Sequence, residues 1–190
     1  MLRRFIKKKA VTKEQWEGQY SSGGWSFLNT IHEAAHYSII TGYLDYFKKH
    51  DLILDVGCGE GVLQQRIQNI GYKKYVGIDF SLEAINKAKL RENNQTVFIQ
   101  TQAEEFNSEK NSFDAIIFNE VLYYLESPLE VVKKYEQFLQ PGGILIISMC
   151  VHRKSRFIWK KLDNHYSFID ETKVINKKGN SWIVKCCLKK

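Results

Sequence analysis

The sequence lacks the long apolar runs of membrane proteins. No run approaches the roughly 18 consecutive apolar residues that a membrane-spanning helix needs. The basic stretch from Arg3 to Lys9 is not followed by an apolar segment with a small-residue cleavage site, so we expect no secretory signal. With 44% apolar residues and only two prolines in 190 residues, the composition is that of a globular protein. We therefore expect one cytoplasmic domain.

The sequence also lacks closely spaced cysteine motifs. Its four cysteines are two isolated residues, Cys58 and Cys150, and an adjacent pair, Cys186 and Cys187. None has the C-x-x-C spacing that is typical of zinc sites and disulfide frameworks. We therefore expect reduced thiols, no disulfide and no bound metal.

Positive charge exceeds negative charge, with 28 Lys and Arg against 21 Asp and Glu and a net charge of +7. This excess permits weak contact with anionic surfaces, for which the basic ends, 3–9 and 189–190, are the candidates. The other lysines are spread along the chain, and no nucleic-acid-binding motif is present. We therefore do not expect nucleic acid as a partner, and the oligomeric state stays open.

What is present is a strand, a glycine loop and a helix in succession. Residues 52–56 form a short apolar run that leads into Gly57, Gly59 and Gly61. An apolar run of this length predicts a buried strand, and helical spacing of apolar residues follows over 61–70. Glycine lets the backbone approach a ligand closely. In a parallel sheet, a helix N-terminus at the carboxyl end of a strand is a common ligand site.

Two carboxylates indicate what this loop binds. Asp55 lies inside the apolar run, where burial costs several kcal/mol unless a partner such as a cationic ligand compensates. Asp79 ends the next predicted strand, where it can accept hydrogen bonds from both hydroxyls of a ribose. The spacing Gly-x-Gly-x-Gly differs from the G-x-G-x-x-G of dinucleotide sites. The pattern therefore favours a nucleoside cofactor over a dinucleotide.

Strands and helices alternate along the chain from residue 50 onwards. This alternation predicts a doubly wound α/β fold with a seven-stranded, mostly parallel sheet, closed by an antiparallel hairpin. We predict strands at 52–56, 75–78, 96–100, 113–118, 144–149, 169–175 and 182–188, and helices at 61–70, from 81, at 127–139 and at 154–162.

The chain is expected to divide into three parts of a single domain. Residues 1–49 are predicted to form a basic arm and a helical cap, with a long helix at 27–49, over the carboxyl edge of the sheet. Residues 50–150 are predicted to form the cofactor-binding core. Residues 151–190 are predicted to add a helix and the hairpin.

Four segments together resemble class I S-adenosylmethionine-dependent methyltransferases. Residues 54–61 (Leu-Asp-Val-Gly-Cys-Gly-Glu-Gly) resemble the first motif of that family, and 76–81 resemble its second. Residues 113–116 resemble the start of its fourth strand, and 139–143 the approach to its fifth. The resemblance covers roughly residues 50–150. It implies the Rossmann-like methyltransferase fold, with S-adenosylmethionine as cofactor and S-adenosylhomocysteine as product.

The resemblance also implies roles on the cofactor side. Asp55 would face the ammonium group of the cofactor, Asp79 would hold its ribose and Phe80 would lie against its adenine. The family often has an acid at the position of Gln102, and an amide oxygen there accepts more weakly. Asn119 would border the reacting methyl group. The implied cofactor-binding residues are Asp55, Gly57, Cys58, Gly59, Asp79, Phe80, Gln102, Ala103, Glu104 and Asn119.

The acceptor side follows the fourth predicted strand. Residues 119–125 (Asn-Glu-Val-Leu-Tyr-Tyr-Leu) resemble the corresponding stretch of nodulation N-methyltransferases, which act on the amino sugar of lipo-chitooligosaccharides. The catalytic candidates are Glu120 and His152, although either could be a solvated surface residue. The predicted substrate-binding residues are Tyr20, Trp25, His36, Tyr123 and Tyr124, and each aromatic ring among them could instead serve packing.

The sequence therefore predicts methyl transfer to an O or N atom of a small molecule or glycan. One alternative is a methyltransferase that acts on RNA or protein, which the basic charge favours but which no Asn-Pro-Pro-Tyr-type motif supports. A second is a regulatory module that binds the cofactor without catalysis. A nicotinamide dehydrogenase is disfavoured by the loop spacing.

Overall fold

The computed structural model describes residues 12–189. The basic stretch 3–9 of the predicted arm therefore lies outside the described residues. The described chain is built on one seven-stranded sheet, and its strands follow the predicted positions closely. They are β1 (Leu52–Val56), β2 (Lys74–Asp79), β3 (Thr96–Gln100), β4 (Phe113–Asn119), β5 (Leu139–Cys150), β6 (Asp170–Ile175) and β7 (Ser181–Leu188).

The strand order is β3-β2-β1-β4-β5-β7-β6. The pairs β2–β3, β1–β2, β1–β4 and β4–β5 are parallel, whereas β5–β7 and β6–β7 are antiparallel. The predicted fold class, a mostly parallel seven-stranded sheet with an antiparallel C-terminal hairpin, is confirmed.

Six helices accompany the sheet within residues 12–189. Ser81 caps one of them, because its hydroxyl accepts a hydrogen bond from the Ala84 amide at 3.1 Å and so satisfies an otherwise unpaired N–H. None of these helices is long and apolar enough to span a bilayer. They are α1 (Lys13–Ser21), α2 (Ala34–Phe47), α3 (Val62–Ile67), α4 (Leu82–Lys89), α5 (Pro128–Glu136) and α6 (Arg153–Asp163).

The long helix predicted over 27–49 is divided in two. A 3-10 turn spans Ser26–Asn29, and α2 begins only at Ala34. Thr30 ends the turn, because its amide and its hydroxyl both donate to the carbonyl oxygen of Phe27, at 3.0 and 2.8 Å. Such local side-chain bonds compete with helix continuation. Moreover, α2 packs Ile40 and Leu44 on a face of the sheet, so only α1 and the turn lie over the carboxyl edge.

The sequence predicts that the fifth strand begins at 144, after the segment Pro141-Gly142-Gly143. In the structure this segment is part of the strand. Strand β5 begins at Leu139 and continues through it. The pairing with β4 shifts there, from Phe113 opposite Leu139 to Ala115 opposite Ile144. A bulge tolerates the proline because no ladder hydrogen bond is needed from its missing N–H.

Both faces of the sheet are buried, as a parallel sheet requires. Successive side chains of β4 alternate between the faces: Ile116 and Phe118 pack with α5 and α6, while Ala115 and Ile117 pack with α2 and α3. The helices that follow β1 and β4 thus lie on opposite faces. Because these two strands are neighbours, a crevice opens at their carboxyl ends.

Candidate active site

A cavity of about 560 Å³ lies at this crevice, a size typical of small-molecule sites. The ends of β1, β2 and β4 form its floor, and α1 with the following turn forms its roof. All the residues predicted for the cofactor line it, namely Asp55, Gly57, Cys58, Gly59, Asp79, Phe80, Gln102, Ala103, Glu104 and Asn119. The residues that the sequence assigns to the cofactor therefore lie together in one cavity.

The glycine loop is shaped by hydrogen bonds to β2. The amides of Gly57 and Cys58 both donate to the carbonyl oxygen of Ile78, at 2.8 and 2.9 Å. Gly57 has φ +76°, and a Cβ there would lie 2.5 Å from the Val121 side chain. Only glycine meets both conditions. The loop after β1 therefore lies directly against the loop after β4, which brings the two halves of the site together.

Asp79 holds the glycine loop as well as facing the cavity. Its carboxylate accepts hydrogen bonds from the Gly59 amide at 3.0 Å and the Ser81 amide at 2.9 Å. Burial raises its pKa to about 6. A carboxylate offers about four acceptor positions, so these two bonds leave capacity for the two hydroxyls of a ribose.

Asp55 is the buried carboxylate at the base of the cavity, only 1% exposed. Its Oδ2 accepts a hydrogen bond of 2.5 Å from the Tyr75 hydroxyl, a partner that the sequence did not reveal. Its Oδ1 has no partner among the described residues. Burial raises the pKa of this carboxyl to about 7. A cationic group in the cavity would satisfy the unpaired oxygen, so the site fits an amino-acid ammonium group.

Two side chains of α5 hold the turn after β3 in place. The Tyr135 hydroxyl donates to the Ala103 carbonyl at 2.9 Å, and the Lys134 ammonium donates to the Glu104 carbonyl at 2.7 Å. The Gln102 side chain is exposed and donates to Glu105 at 3.1 Å. This turn therefore presents a fixed backbone edge beside Phe80, where a flat ring system can lie.

Helix α1 is attached to α4 by a carboxylate. Glu17 accepts hydrogen bonds from the Ser81 hydroxyl at 2.7 Å and from the amides of Leu82 at 2.9 Å and Glu83 at 3.0 Å. Lys87 adds a second attachment, because its ammonium donates to the Tyr20 carbonyl. Negative charge at a helix N-terminus is favourable. These contacts hold α1 as a roof over the cofactor side of the cavity.

Aromatic rings form the inner surface of this roof. We call Trp16, Tyr20, Trp25, Phe80 and Tyr124 the aromatic cluster. The rings of Trp16 and Trp25 stack at 5.0 Å between centroids, and Tyr124 meets Trp16 edge-on at 4.8 Å. All five line the cavity. The predicted substrate-binding residues Tyr20, Trp25 and Tyr124 thus line the cavity, and each also packs against Trp16.

Glu120 follows β4 and lies in the cavity wall with Tyr123. Its backbone is left-handed, with φ +61°, and its amide donates to the Ser148 carbonyl at 2.9 Å. Its Oε2 accepts from the Tyr123 hydroxyl at 2.8 Å. Burial raises the pKa of the Glu120 carboxyl to about 8, and the nearby Glu33 carboxylate adds to the shift. A non-glycine residue held in this conformation is typical of functional sites.

Two predicted residues lie outside the cavity lining. His36 is completely buried between Tyr37 and Trp182, with ring centroids 4.3 and 5.0 Å away, and burial lowers its pKa to about 3. His152 caps α6: its Nδ1 accepts from the Ser155 amide at 3.4 Å. Helical spacing alone could not show that His36 points into the core. We therefore propose no ligand contact for His36.

Sequence analysis missed several residues of the site. Trp16 and Tyr37 line the cavity, and Glu17 and Tyr75 hold its parts in place. Trp16 precedes Tyr20 by four residues in a helix, so the two share a face. That spacing was the available signal. Nothing in the sequence pairs Tyr75 with Asp55, because their contact depends on neighbouring strands.

The model of a family described as "Methyltransferase domain" matches residues 47–185. The match covers most of the chain. The chain belongs to this methyltransferase family. Among sequence relatives, it is 32% identical over 109 residues to the mitochondrial ubiquinone biosynthesis O-methyltransferase of Dictyostelium discoideum, an alignment covering 50% of this chain and 34% of that protein. The methyltransferase chain spans between about a third and just over half the length of the sequence relatives it matches.

Solved methyltransferases share the fold. The 1,6-didemethyltoxoflavin-N1-methyltransferase of Burkholderia thailandensis superposes with a TM-score of 0.78, covering 95% of this chain and 88% of that one at 17% identity. N-methyltransferase NodS of Bradyrhizobium japonicum, in complex with S-adenosylhomocysteine, gives a TM-score of 0.73 over 99% and 96% of the chains at 17% identity. The predicted likeness to nodulation N-methyltransferases is thus confirmed at the level of the fold.

Proposed function

We propose that this methyltransferase-family protein transfers a methyl group from S-adenosylmethionine to an O or N atom of a small molecule or glycan. The observation that carries the proposal is the convergence of three features in one cavity: the glycine loop, the unpaired Oδ1 of Asp55 and the carboxylate of Asp79. A nucleoside with a cationic amino-acid end satisfies all three. Two fold neighbours were solved with S-adenosylhomocysteine, which supports the same choice.

In this proposal, different elements of the chain bind different parts of the cofactor. Asp55 receives the ammonium group, and Gly57 to Gly59 lie along the methionine end. Asp79 accepts from the ribose hydroxyls, while Phe80 and the turn at Ala103 hold the adenine. The cofactor supplies an electrophilic methyl group on sulfur. The protein supplies position and exclusion of water, for which the roof formed by α1 is suited.

Asn119 and Glu120 then border the reacting atoms. The Asn119 Oδ1 is buried and has no partner among the described residues, so it is positioned to accept from a bound ligand. Glu120 lies beyond it, in the cavity wall. We assign Glu120 to binding the acceptor or removing its proton, and His152 to supporting Tyr123, whose ring lies 4.9 Å from the imidazole.

A small acceptor is favoured over RNA or protein by the roof. Helix α1 and the aromatic cluster cover the cavity, and this leaves limited room for a macromolecular surface. The Burkholderia enzyme is named for a small substrate, 1,6-didemethyltoxoflavin, and the Dictyostelium relative for ubiquinone biosynthesis. RNA or protein methylation and non-catalytic cofactor binding remain the alternatives. The cytoplasmic location stays a prediction, in keeping with four cysteines that form no disulfide within residues 12–189.

A screen of small-molecule and glycan acceptors for release of S-adenosylhomocysteine tests this function. We expect turnover with at least one acceptor, and a loss of about a hundredfold or more in Glu120→Gln. Glu109→Gln is the matched control, since Glu109 is exposed and is not among the residues that line the cavity. Turnover that is equal in Glu120→Gln and the wild type would remove Glu120 from the acceptor side. Absence of S-adenosylmethionine binding would refute the function itself.

A further inference from the structure

The charge of the cavity is opposite to the charge of the chain. The chain has a net charge of +7. Nevertheless, no lysine, arginine or histidine is found among the residues of 12–189 that line the cavity, whereas several carboxylates are. These are Asp55, Glu60, Asp79, Glu104, Glu120 and Glu126. Such a wall repels anionic acceptors and attracts cationic ones.

Three of these carboxylates already have an assigned partner or ligand. Glu60 forms an ion pair of 2.7 Å with Lys87. Asp79 accepts from backbone amides and faces the ribose, and Asp55 faces the cofactor ammonium under the proposed function. Glu104 and Glu126 are exposed. Glu120 is the remaining carboxylate that is largely withdrawn from water.

Glu120 has hydroxyl partners but no cation beside it. Its Oε2 accepts from Tyr123 at 2.8 Å and its Oε1 from Ser148 at 3.4 Å. Glu33, only 4% exposed, acts on it as a second negative group. Lys178 is a positive group that acts on Glu33, but no basic side chain among the described residues forms an ion pair with either carboxylate. Two acids sharing a buried region are costly unless a cation joins them.

The remaining wall of the cavity is aromatic. Besides the aromatic cluster, Tyr37 and Tyr123 line it. Burial raises the pKa of Tyr37, and the negative charges of Asp55 and Glu120 raise it further. The Tyr37 ring therefore lies close enough to both carboxylates to feel their charge. Ring faces attract ammonium groups, and a carboxylate with aromatic rings is a common way to bind them.

We propose that the acceptor is an amine, that it enters as the ammonium ion, and that the Glu120 carboxylate is its counter-ion and proton acceptor. This inference rests on the proposed function. The cavity selects a cationic amine in preference to a neutral alcohol, and an alcohol in preference to a carboxylate or phosphate.

The transfer balances in two steps. First, the ammonium nitrogen gives one proton to a Glu120 oxygen, which leaves a neutral amine with a free lone pair and a protonated carboxyl group. Second, that nitrogen attacks the methyl carbon of the sulfonium. The N–C bond forms as the C–S bond breaks, and the C–S electron pair stays on sulfur. The product is a methylated ammonium ion with S-adenosylhomocysteine.

Three probes of matched shape test the acceptor class: phenethylamine, 2-phenylethanol and phenylacetate. Binding of each is measured by ligand-observed NMR to the wild-type protein saturated with S-adenosylhomocysteine, a condition checked by calorimetry. We expect phenethylamine to bind about tenfold or more tightly than the alcohol, and phenylacetate to bind most weakly. The calorimetric check fails if the proposed cofactor is wrong, so that failure is distinct from a wrong acceptor class.

Two variants locate the preference. Glu120→Gln should remove the advantage of phenethylamine over 2-phenylethanol while S-adenosylhomocysteine affinity stays within about twofold, and Glu109→Gln should keep it. Tyr124→Leu, which removes a ring and no charge, should weaken phenethylamine more than 2-phenylethanol. Three results would overturn the proposal: phenylacetate that binds as tightly as phenethylamine, phenethylamine that does not bind, or an amine preference that is unchanged in Glu120→Gln.

Discussion

Gly57 is the residue at which the two halves of the site come into contact. Its left-handed backbone and the closeness of Val121 leave no space for a side chain. Gly71 has almost the same φ, +79°, but nothing lies within 4 Å of the position of a Cβ. The two glycines therefore share a conformational requirement and differ only in their surroundings.

Comparing Gly57→Ala with Gly71→Ala separates these effects. Each alanine pays about 1–2 kcal/mol for the left-handed conformation, so both variants should lose similar thermal stability from strain. Only Gly57→Ala must displace the loop after β4, and we expect it to weaken S-adenosylmethionine binding about tenfold or more. Calorimetry on both proteins checks this, and equal affinity in the two variants would show that the contact with Val121 is unimportant.

Single residues also show where sequence reasoning succeeds and where it fails. Asp55, Asp79 and the glycines were predictable because local order places them at the ends of adjacent strands. The burial of His36 against Trp182 was not predictable, because Trp182 is distant in the sequence and reaches it only through the pairing of β5 with β7. The bond from Tyr75 to Asp55 depends likewise on strand register.

At the scale of elements, α1 is a roof held by few bonds. Among the described residues, Glu17 is the one acidic side chain of α1 that bonds to another element. Its three hydrogen bonds connect α1 to the start of α4. The sequence predicted a helical cap in this region but not this attachment, since Glu17 and Ser81 are 64 residues apart. The division of the predicted helix 27–49 was equally hidden, because it depends on the Thr30 hydroxyl.

Glu17→Ala should loosen the roof without unfolding the core. We expect faster amide hydrogen exchange in residues 13–21 and S-adenosylmethionine affinity reduced about three- to tenfold, because hydrogen bonds involving a charged group are lost. Glu14→Ala is the control, since Glu14 is exposed on the same helix and has no bond to α4. Unchanged exchange in Glu17→Ala would mean that aromatic packing alone holds the roof.

At the scale of the whole molecule, a basic protein surrounds an acidic cavity. Burial raises the pKa values of Asp55 and Glu33 to about 7 and of Glu120 to about 8. A raised pKa stabilises the folded state at low pH, and that stability is lost as the pH rises through the folded value. Burial lowers the pKa values of His36 and His152 to about 3 and 4. These two residues make the folded state more stable as the pH rises, but only below about pH 6.5.

Thermal stability of the ligand-free protein should therefore fall as the pH rises from about 6.5 to 8.5, by roughly 5 °C. Glu120→Gln should reduce this slope, since the group with the highest of the three pKa values no longer ionises. Thermal unfolding over a pH series measures it. Stability that rises over this interval would contradict the pKa shifts assigned to Asp55, Glu33 and Glu120.

The central claim is that this cavity binds S-adenosylmethionine through Asp79 and the glycine loop. Calorimetric titration of S-adenosylmethionine into the wild-type protein, Asp79→Ala and the Glu109→Gln control tests it most directly. We predict one site per chain, affinity lower by about tenfold or more in Asp79→Ala, and no change in Glu109→Gln. No binding to the wild-type protein, or equal affinity in Asp79→Ala, would contradict the account.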